Sequence, residues 1–208
     1  MELKNVNVIL DTIPSNVTLV AATKYVTSND MKKLLEFNIN NFGENRVDSF
    51  LNKYVELLDY DITWHFIGHL QRNKAKLVID KIEYLHSLDS LDLAKLIDRL
   101  RDKPLKCFIE VNINSEENKN GVKVEDLDNF INEVIKYKNI NIVGFMCMTV
   151  KESDDKLEQF LRLTNLMKEM NSKYNLNMKD LSMGMSDDYL SAIKAGSTFV
   201  RLGRILWM

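Results

Sequence analysis

Breakers are scarce in this chain: two prolines and seven glycines in 208 residues. No Pro/Gly/Ser linker interrupts it, so one domain spanning residues 1–208 is expected. Cysteine is scarce too. Cys107 and Cys147 sit inside the apolar runs LKCFIEV and VGFMCM, which excludes a disulfide scaffold and points to buried thiols. No Cys/His cluster has metal-ligand spacing, and His65 with His69 lacks a third ligand. No long run of one charge sign occurs and the formal net charge is −2. That balance argues against nucleic acid or an anionic membrane as the main partner, while leaving room for a local pocket for one phosphate. No stretch approaches the about eighteen apolar residues of a membrane span. The opening MELKNVNVILDTIP lacks the basic region and apolar core of a secretory signal, so a cytoplasmic protein is expected.

What is present is an alternation of short apolar runs with longer amphipathic stretches. LVAA, CFIEVNI and IVGFMCM are apolar and too short for helices, as suits strands buried on both faces. Strands are expected at 18–22, 41–43, 63–68, 84–87, 107–113, 142–148, 180–183 and 198–202. Helices are expected at 30–37, 47–58, 70–79, 91–100, 124–137, 154–174 and 188–195, with an extra one at 2–10. The helix at 47–58 places Val47, Leu51, Tyr54, Val55 and Leu58 on one face. Ser28, Ser90 and Ser153 read as start signals and Gly196 as a stop. About eight strands alternating with helices imply a parallel sheet. A doubly wound sheet and a closed barrel both fit, and the strand count favours a single (β/α)8 TIM-type barrel with an extra N-terminal helix.

In a barrel, function gathers where strands end at their C-terminal side. Those ends carry Lys24, GENR (43–46), HFIGHLQRNK (65–74), Asn112, Asn114, Met148, SMGMS (182–186) and RLGR (201–204). A lysine closing an apolar strand is by default a solvated charge. As a nucleophile towards an aldehyde, Lys24 needs its ammonium partly desolvated. Ser186 lies where an N-cap belongs. Gly184 allows close backbone approach, and the helix start with the Ser186 hydroxyl could hold a phosphate, provided Asp187 and Asp188 point away. Gly203 can bring its N–H to a ligand, Arg201 can meet a ring nitrogen or an oxygen, and Arg204 can meet phosphate. Each segment alone also reads as ordinary barrel architecture, with His65 as a satisfied core histidine.

Together VAATK, NNFGENRV, WHFIGHLQRNK, ENKNGV, GFMCM and LSMGMSDDYLSAIKAGSTFVRLG closely resemble the pyridoxal phosphate homeostasis proteins, which look like the N-terminal barrel of alanine racemase standing alone. The likeness runs from Leu19 to about Leu206, nearly the whole chain. It implies pyridoxal 5′-phosphate (PLP) as cofactor, joined as an imine to Lys24. It implies a phosphate held by Ser186 with backbone groups near Gly203 and Arg204, Arg201 facing the pyridine nitrogen, and Asn45 near the cofactor. Lys119 matches a family lysine implicated in handling PLP. The end departs from the family: Arg204 stands where a threonine is usual, and Trp207-Met208 where Phe-Gly is usual, without the usual short tail.

The function this implies is capture of PLP and its release by imine exchange, with PLP-requiring apo-enzymes as recipients and the chain acting as a monomer. Two rivals stand beside it. One is a weak racemase-like PLP enzyme, which needs a second acid/base near the ring. The other is a phosphosugar barrel using Lys24 as its carbonyl-condensing lysine.

Overall fold

The computed structural model describes residues 2–3, 6–114, 116, 120–149 and 155–207. Its strands are Thr18–Ala22 (β1), Asn41–Glu44 (β2), Thr63–Phe66 (β3), Tyr84–Leu88 (β4), Leu105–Asn112 (β5), Val122–Lys123 (β6), Ile140–Met146 (β7), Asp180–Ser182 (β8) and Phe199–Leu202 (β9). Its helices are Val6–Asp11 (α1), Ser28–Leu35 (α2), Val47–Glu56 (α3), Arg72–Ala75 (α4), Leu91–Leu100 (α5), Leu127–Val134 (α6), Lys156–Tyr174 (α7) and Tyr189–Lys194 (α8). All strand pairs are parallel. They follow chain order from β1 to β5, pass from β5 to β7, β8 and β9, and close as Thr18–Ala21 pairs with Phe199–Leu202. This is an eight-stranded (β/α)8 barrel with an additional helix before the first strand. The closure excludes the doubly wound alternative, whose sheet edges stay open. The short β6 is an addition that pairs only with the end of β5.

The helices form because each has one apolar stripe to bury against the outer face of the barrel. α5 turns Leu93, Ala94 and Ile97 inward, and α6 turns Leu127, Phe130, Ile131 and Val134, the spacing of a 3.6-residue period. α2 is capped by Thr27 rather than by Ser28. The Thr27 hydroxyl accepts from the Asp30 amide while the Asp30 carboxylate accepts from the Thr27 amide, a reciprocal cap that Ser28 cannot form. Gly196, at φ +97°, follows α8, and the Ser197 amide reaches back to the Ala192 carbonyl, the expected glycine stop. The expected start at Ser153 lies outside the described residues.

Two expectations are corrected. The helix at 70–79 shrinks to Arg72–Ala75, because the following residues bury Val78 and Ile79 in successive tight turns instead. On α3 the apolar face is rotated. Val55 and Leu58 are 65% and 61% exposed, and Val47, Phe50 and Lys53 are buried. Phe50 sets this rotation by meeting Trp64 edge-on at 5.3 Å.

Inside the barrel, side chains alternate with period two. Val20, Phe108, Met146 and Phe199 form a small apolar plug. Around it the interior is polar, with His65 and His86 fully buried beside Ser182 and Arg201. The lower end is closed by Tyr84, stacked on His65 at 4.6 Å and capped by the Lys106 ammonium. Among the described residues no helix is long and apolar enough to cross a membrane.

Candidate functional site

The ladder between β1 and β2 runs one bond beyond the strands, from the Thr23 amide to the Gly43 carbonyl. Thr23 is buried on the outer side, where its hydroxyl donates to Glu44 Oε1 at 2.6 Å. Lys53 of α3 donates to that same oxygen and to the Thr23 carbonyl, each at 2.6 Å. With Thr23 turned outward, the alternation Val20, Ala22, Lys24 sends Lys24 to the mouth. Lys24 is exposed, so the expected desolvation is not seen: it sits past the last ladder bond, where water reaches it. Its ammonium lies 4.9 Å from the centroid of the Tyr25 ring and forms no ion pair among the described residues.

Asn45 follows β2, and its amide oxygen is buried without a partner, an uncommon state for an internal polar atom. Gly68 explains how it comes so close to the next strand. A Cβ there would stand 2.4 Å from the Asn45 carbonyl oxygen, so only glycine permits the approach.

Ser186 does not cap α8 as expected. The cap position belongs to Asp188, whose Oδ1 accepts from the Met185 amide and Oδ2 from the Thr149 hydroxyl. Ser186 Oγ instead accepts from the Gly203 and Ile205 amides, at 3.4 and 3.5 Å. Ser186 therefore meets Gly203 and the residue after Arg204, as the phosphate corner requires, and its own proton is left to donate. Both nearby carboxylates have partners. Asp188 is used as above, and Asp187 pairs with the Arg204 guanidinium at 2.7 Å on the exposed surface. Arg204 thus lines the same cavity as Ser186 and Ile205 as the partner of the Asp187 carboxylate.

Arg201 lies on β9 in the interior phase and is 5% exposed. Its Nη1 donates to the Ser182 carbonyl and hydroxyl, and its Nη2 to the Cys147 carbonyl. Burial lowers its affinity for the proton, and the nearby Cys147, Glu110 and Asp188 oppose that effect.

Glu110 and His86, which sequence reasoning missed, and Ser182, which it named only within SMGMS, also face the mouth or interior. Glu110 stands two residues above Phe108 on β5, buried, with its pKa pushed up to about 7, mainly by burial and then by Asp89. Ser182 and His86 join Arg201 to His65. The signal for all three was the odd polar residue inside an apolar strand: CFIEV, YLHSL and DLS. His69, by contrast, lies on the exposed rim with Asp89 at 2.8 Å, away from His65. Lys119 lies outside the described residues. Lys24, Asn45, Ser186, Arg201 and Gly203 all sit at the C-terminal mouth, on adjacent strands β9, β1 and β2 and the loop after β8.

A model of the alanine racemase N-terminal domain matches residues 3–208. The pyridoxal phosphate homeostasis protein of Synechocystis sp. is 37% identical over 96% of this chain and 94% of that one. Its namesake from Aquifex aeolicus is 36% identical over 91% and 85%. The structure of PipY from Synechococcus elongatus PCC7942 with PLP bound superposes with a TM-score of 0.91, at 26% identity, over 98% of both chains. Alanine racemase from Clostridium difficile 630 shares the barrel at a TM-score of 0.78 and 14% identity, with this chain spanning 55% of it.

Proposed function

As the chain belongs to the alanine racemase N-terminal domain family, and within it to the pyridoxal phosphate homeostasis proteins, we propose that it binds PLP as part of intracellular PLP homeostasis, holding it covalently on Lys24 and releasing it by exchange. PLP brings an aldehyde that condenses reversibly with a primary amine, a phosphate and a pyridine nitrogen. One juxtaposition carries the reading: β1 leads into the Lys24 amine, and its neighbour β9 leads into Gly203, whose amide meets the Ser186 hydroxyl. An aldehyde acceptor and an anion corner thus share one mouth.

The residues present fit the cofactor. Ser186 Oγ–H and the amides of Gly203 and Ile205 are three donors that a phosphate can take over. The buried, unpartnered Asn45 oxygen awaits a donor from a ligand. Arg201 is a donor-only cation, and opposite a ring nitrogen it keeps that nitrogen unprotonated, because two adjacent cations repel. An unprotonated ring is a poor electron sink, which disfavours carbanion chemistry on amino acids. Lys24 stays exposed, so incoming amines reach it. In this reading the chain is a cytoplasmic monomeric carrier rather than an enzyme, and its recipients are PLP-requiring apo-enzymes.

An absorbance spectrum before and after borohydride, with mass mapping of the reduced pyridoxyl group, tests this; an adduct on any peptide but that of Lys24 contradicts it. Ser186→Ala weakens PLP capture by about 1–3 kcal/mol, the value of a hydrogen bond to a charged oxygen, as measured by equilibrium titration.

Glu110 favours a second reading, a weak racemase-like enzyme, since a buried carboxyl holding its proton near neutrality is what acid/base chemistry at the mouth needs. The carrier reading expects no exchange of an amino acid's α-hydrogen in deuterated water by the loaded protein. Exchange that disappears in Glu110→Gln supports the enzyme instead.

A further inference from the structure

The barrel interior contains an unbroken chain of hydrogen bonds. Arg201 Nη1 meets Ser182 Oγ at 2.6 Å, and Ser182 Oγ meets His86 Nδ1 at 2.7 Å. His86 Nε2 meets His65 Nδ1 at 2.9 Å, and His65 Nε2 meets Asn41 Oδ1 at 3.0 Å. Both ends fix its direction. Arg201 can only donate. Asn41 presents its oxygen to His65, because its amide nitrogen donates to Asn40 Oδ1 at 3.0 Å. His65 therefore carries its proton on Nε2 and accepts at Nδ1. His86 must donate from Nε2 and accept at Nδ1, and Ser182 must donate to it. With both rings neutral, one polarity satisfies every link.

The surroundings keep both rings neutral and still. Tyr84 stacks on His65 at 5° and 4.6 Å, and Phe108 lies 4.4 Å from His86. Burial and the Lys106 ammonium below hold the His65 pKa down to about 3; burial, His65 and Arg201 push His86 the same way. The carboxyls that act on Arg201 are Glu110 and Asp188.

Of the five N–H groups of Arg201, two on Nη1 and one on Nη2 are taken by Ser182 and Cys147. The Nε–H and the second Nη2–H have no partner among the described residues. We propose that Ser182, His86, His65 and Asn41 form a one-way buried relay that positions Arg201, presenting an oxygen lone pair to its charge and holding it in one orientation with two N–H groups left for a ligand. The relay rests on the PLP reading for its purpose, but not for its existence. Ser182 and the histidines are positioning residues that act through Arg201.

The test has two arms. In the first, nitrogen-15 NMR of ligand-free wild-type protein reads the histidine tautomers. The chain has three histidines, and His69→Gln removes the rim signals. Both remaining rings are expected as Nε2–H tautomers, unchanged between about pH 5 and 8. A protonated Nδ1 on either ring, or titration of either within that window, overturns the relay. In the second arm, Ser182→Ala lowers PLP affinity on the order of tenfold and changes the pH dependence of the bound cofactor's absorbance, whereas Ser182→Thr, which keeps the hydroxyl, behaves as wild type. A Ser182→Ala protein that loads and titrates as wild type overturns the positioning role. If wild-type protein takes up no PLP, the proposed function fails, and the tautomers still decide the relay.

Discussion

Lys24→Ala folds as the wild type does and captures no PLP covalently. The side chain is exposed, and among the described residues it forms no ion pair; its ammonium lies over the neighbouring Tyr25 ring, itself 77% exposed. Surface substitutions of this kind change stability by about ±0.5 kcal/mol. What disappears is the only primary amine that the alternation of β1 sends to the mouth. The phosphate corner is untouched, so weak, dialysable PLP binding remains. Lys24→Arg sharpens the experiment, because a guanidinium keeps the charge but stays protonated and cannot condense with an aldehyde. Both variants are read by the imine absorbance, by borohydride trapping and by thermal melting. Persistent imine colour moves the covalent role to another lysine. That lysine is not Lys53, whose ammonium is buried against the Thr23 carbonyl and Glu44.

The strands were legible because runs such as LVAA and IVGFMCM have the length and apolarity of parallel strands buried on both faces. Their closure was legible only as a count. The pairing of Thr18–Ala21 with Phe199–Leu202 joins the two ends of the chain, and no local pattern encodes it. At the mouth, Lys24, Gly203 and Arg201 were readable because strand ends are where a barrel keeps its chemistry. Local pattern gave Ser186 the cap position, which Asp188 holds, while the family resemblance placed it with Gly203. An N-cap rule looks along the chain, whereas this hydroxyl is satisfied across it by amides after β9. His65 was read as a satisfied core histidine, which it is, but its partners His86 and Asn41 lie on the flanking strands. Registers of β2, β3 and β4 decide that meeting, and register is invisible without the sheet. Lys53 left a hint: it stands three residues after Phe50, a charge on the side of α3 that Phe50 buries.

That charge supports the second large effect, a loss of about 3–5 kcal/mol in Lys53→Met, the penalty for stranding one member of a buried ion pair. Glu44 is fully buried, and its Oε2 has no hydrogen-bond partner, so its charge leans on Oε1, shared between Lys53 and Thr23. Without the ammonium, the carboxylate must either stay charged in an apolar wall or take up a proton. The Thr23 carbonyl loses a donor at the same time. Pairing Lys53→Met with Glu44→Leu should recover much of the stability, since two apolar groups of similar size replace the pair without an orphaned charge. In that double variant the Thr23 carbonyl, one residue before Lys24, keeps the Val26 amide but not the Lys53 ammonium, so refilled packing is separated from the side-chain anchor of the Lys24 backbone. Denaturant melts of the two variants measure the first quantity, and the rate of PLP imine formation by the double variant measures the second. A single variant as stable as wild type would mean that water already reaches Glu44 and that the pair is no anchor for the lysine that follows.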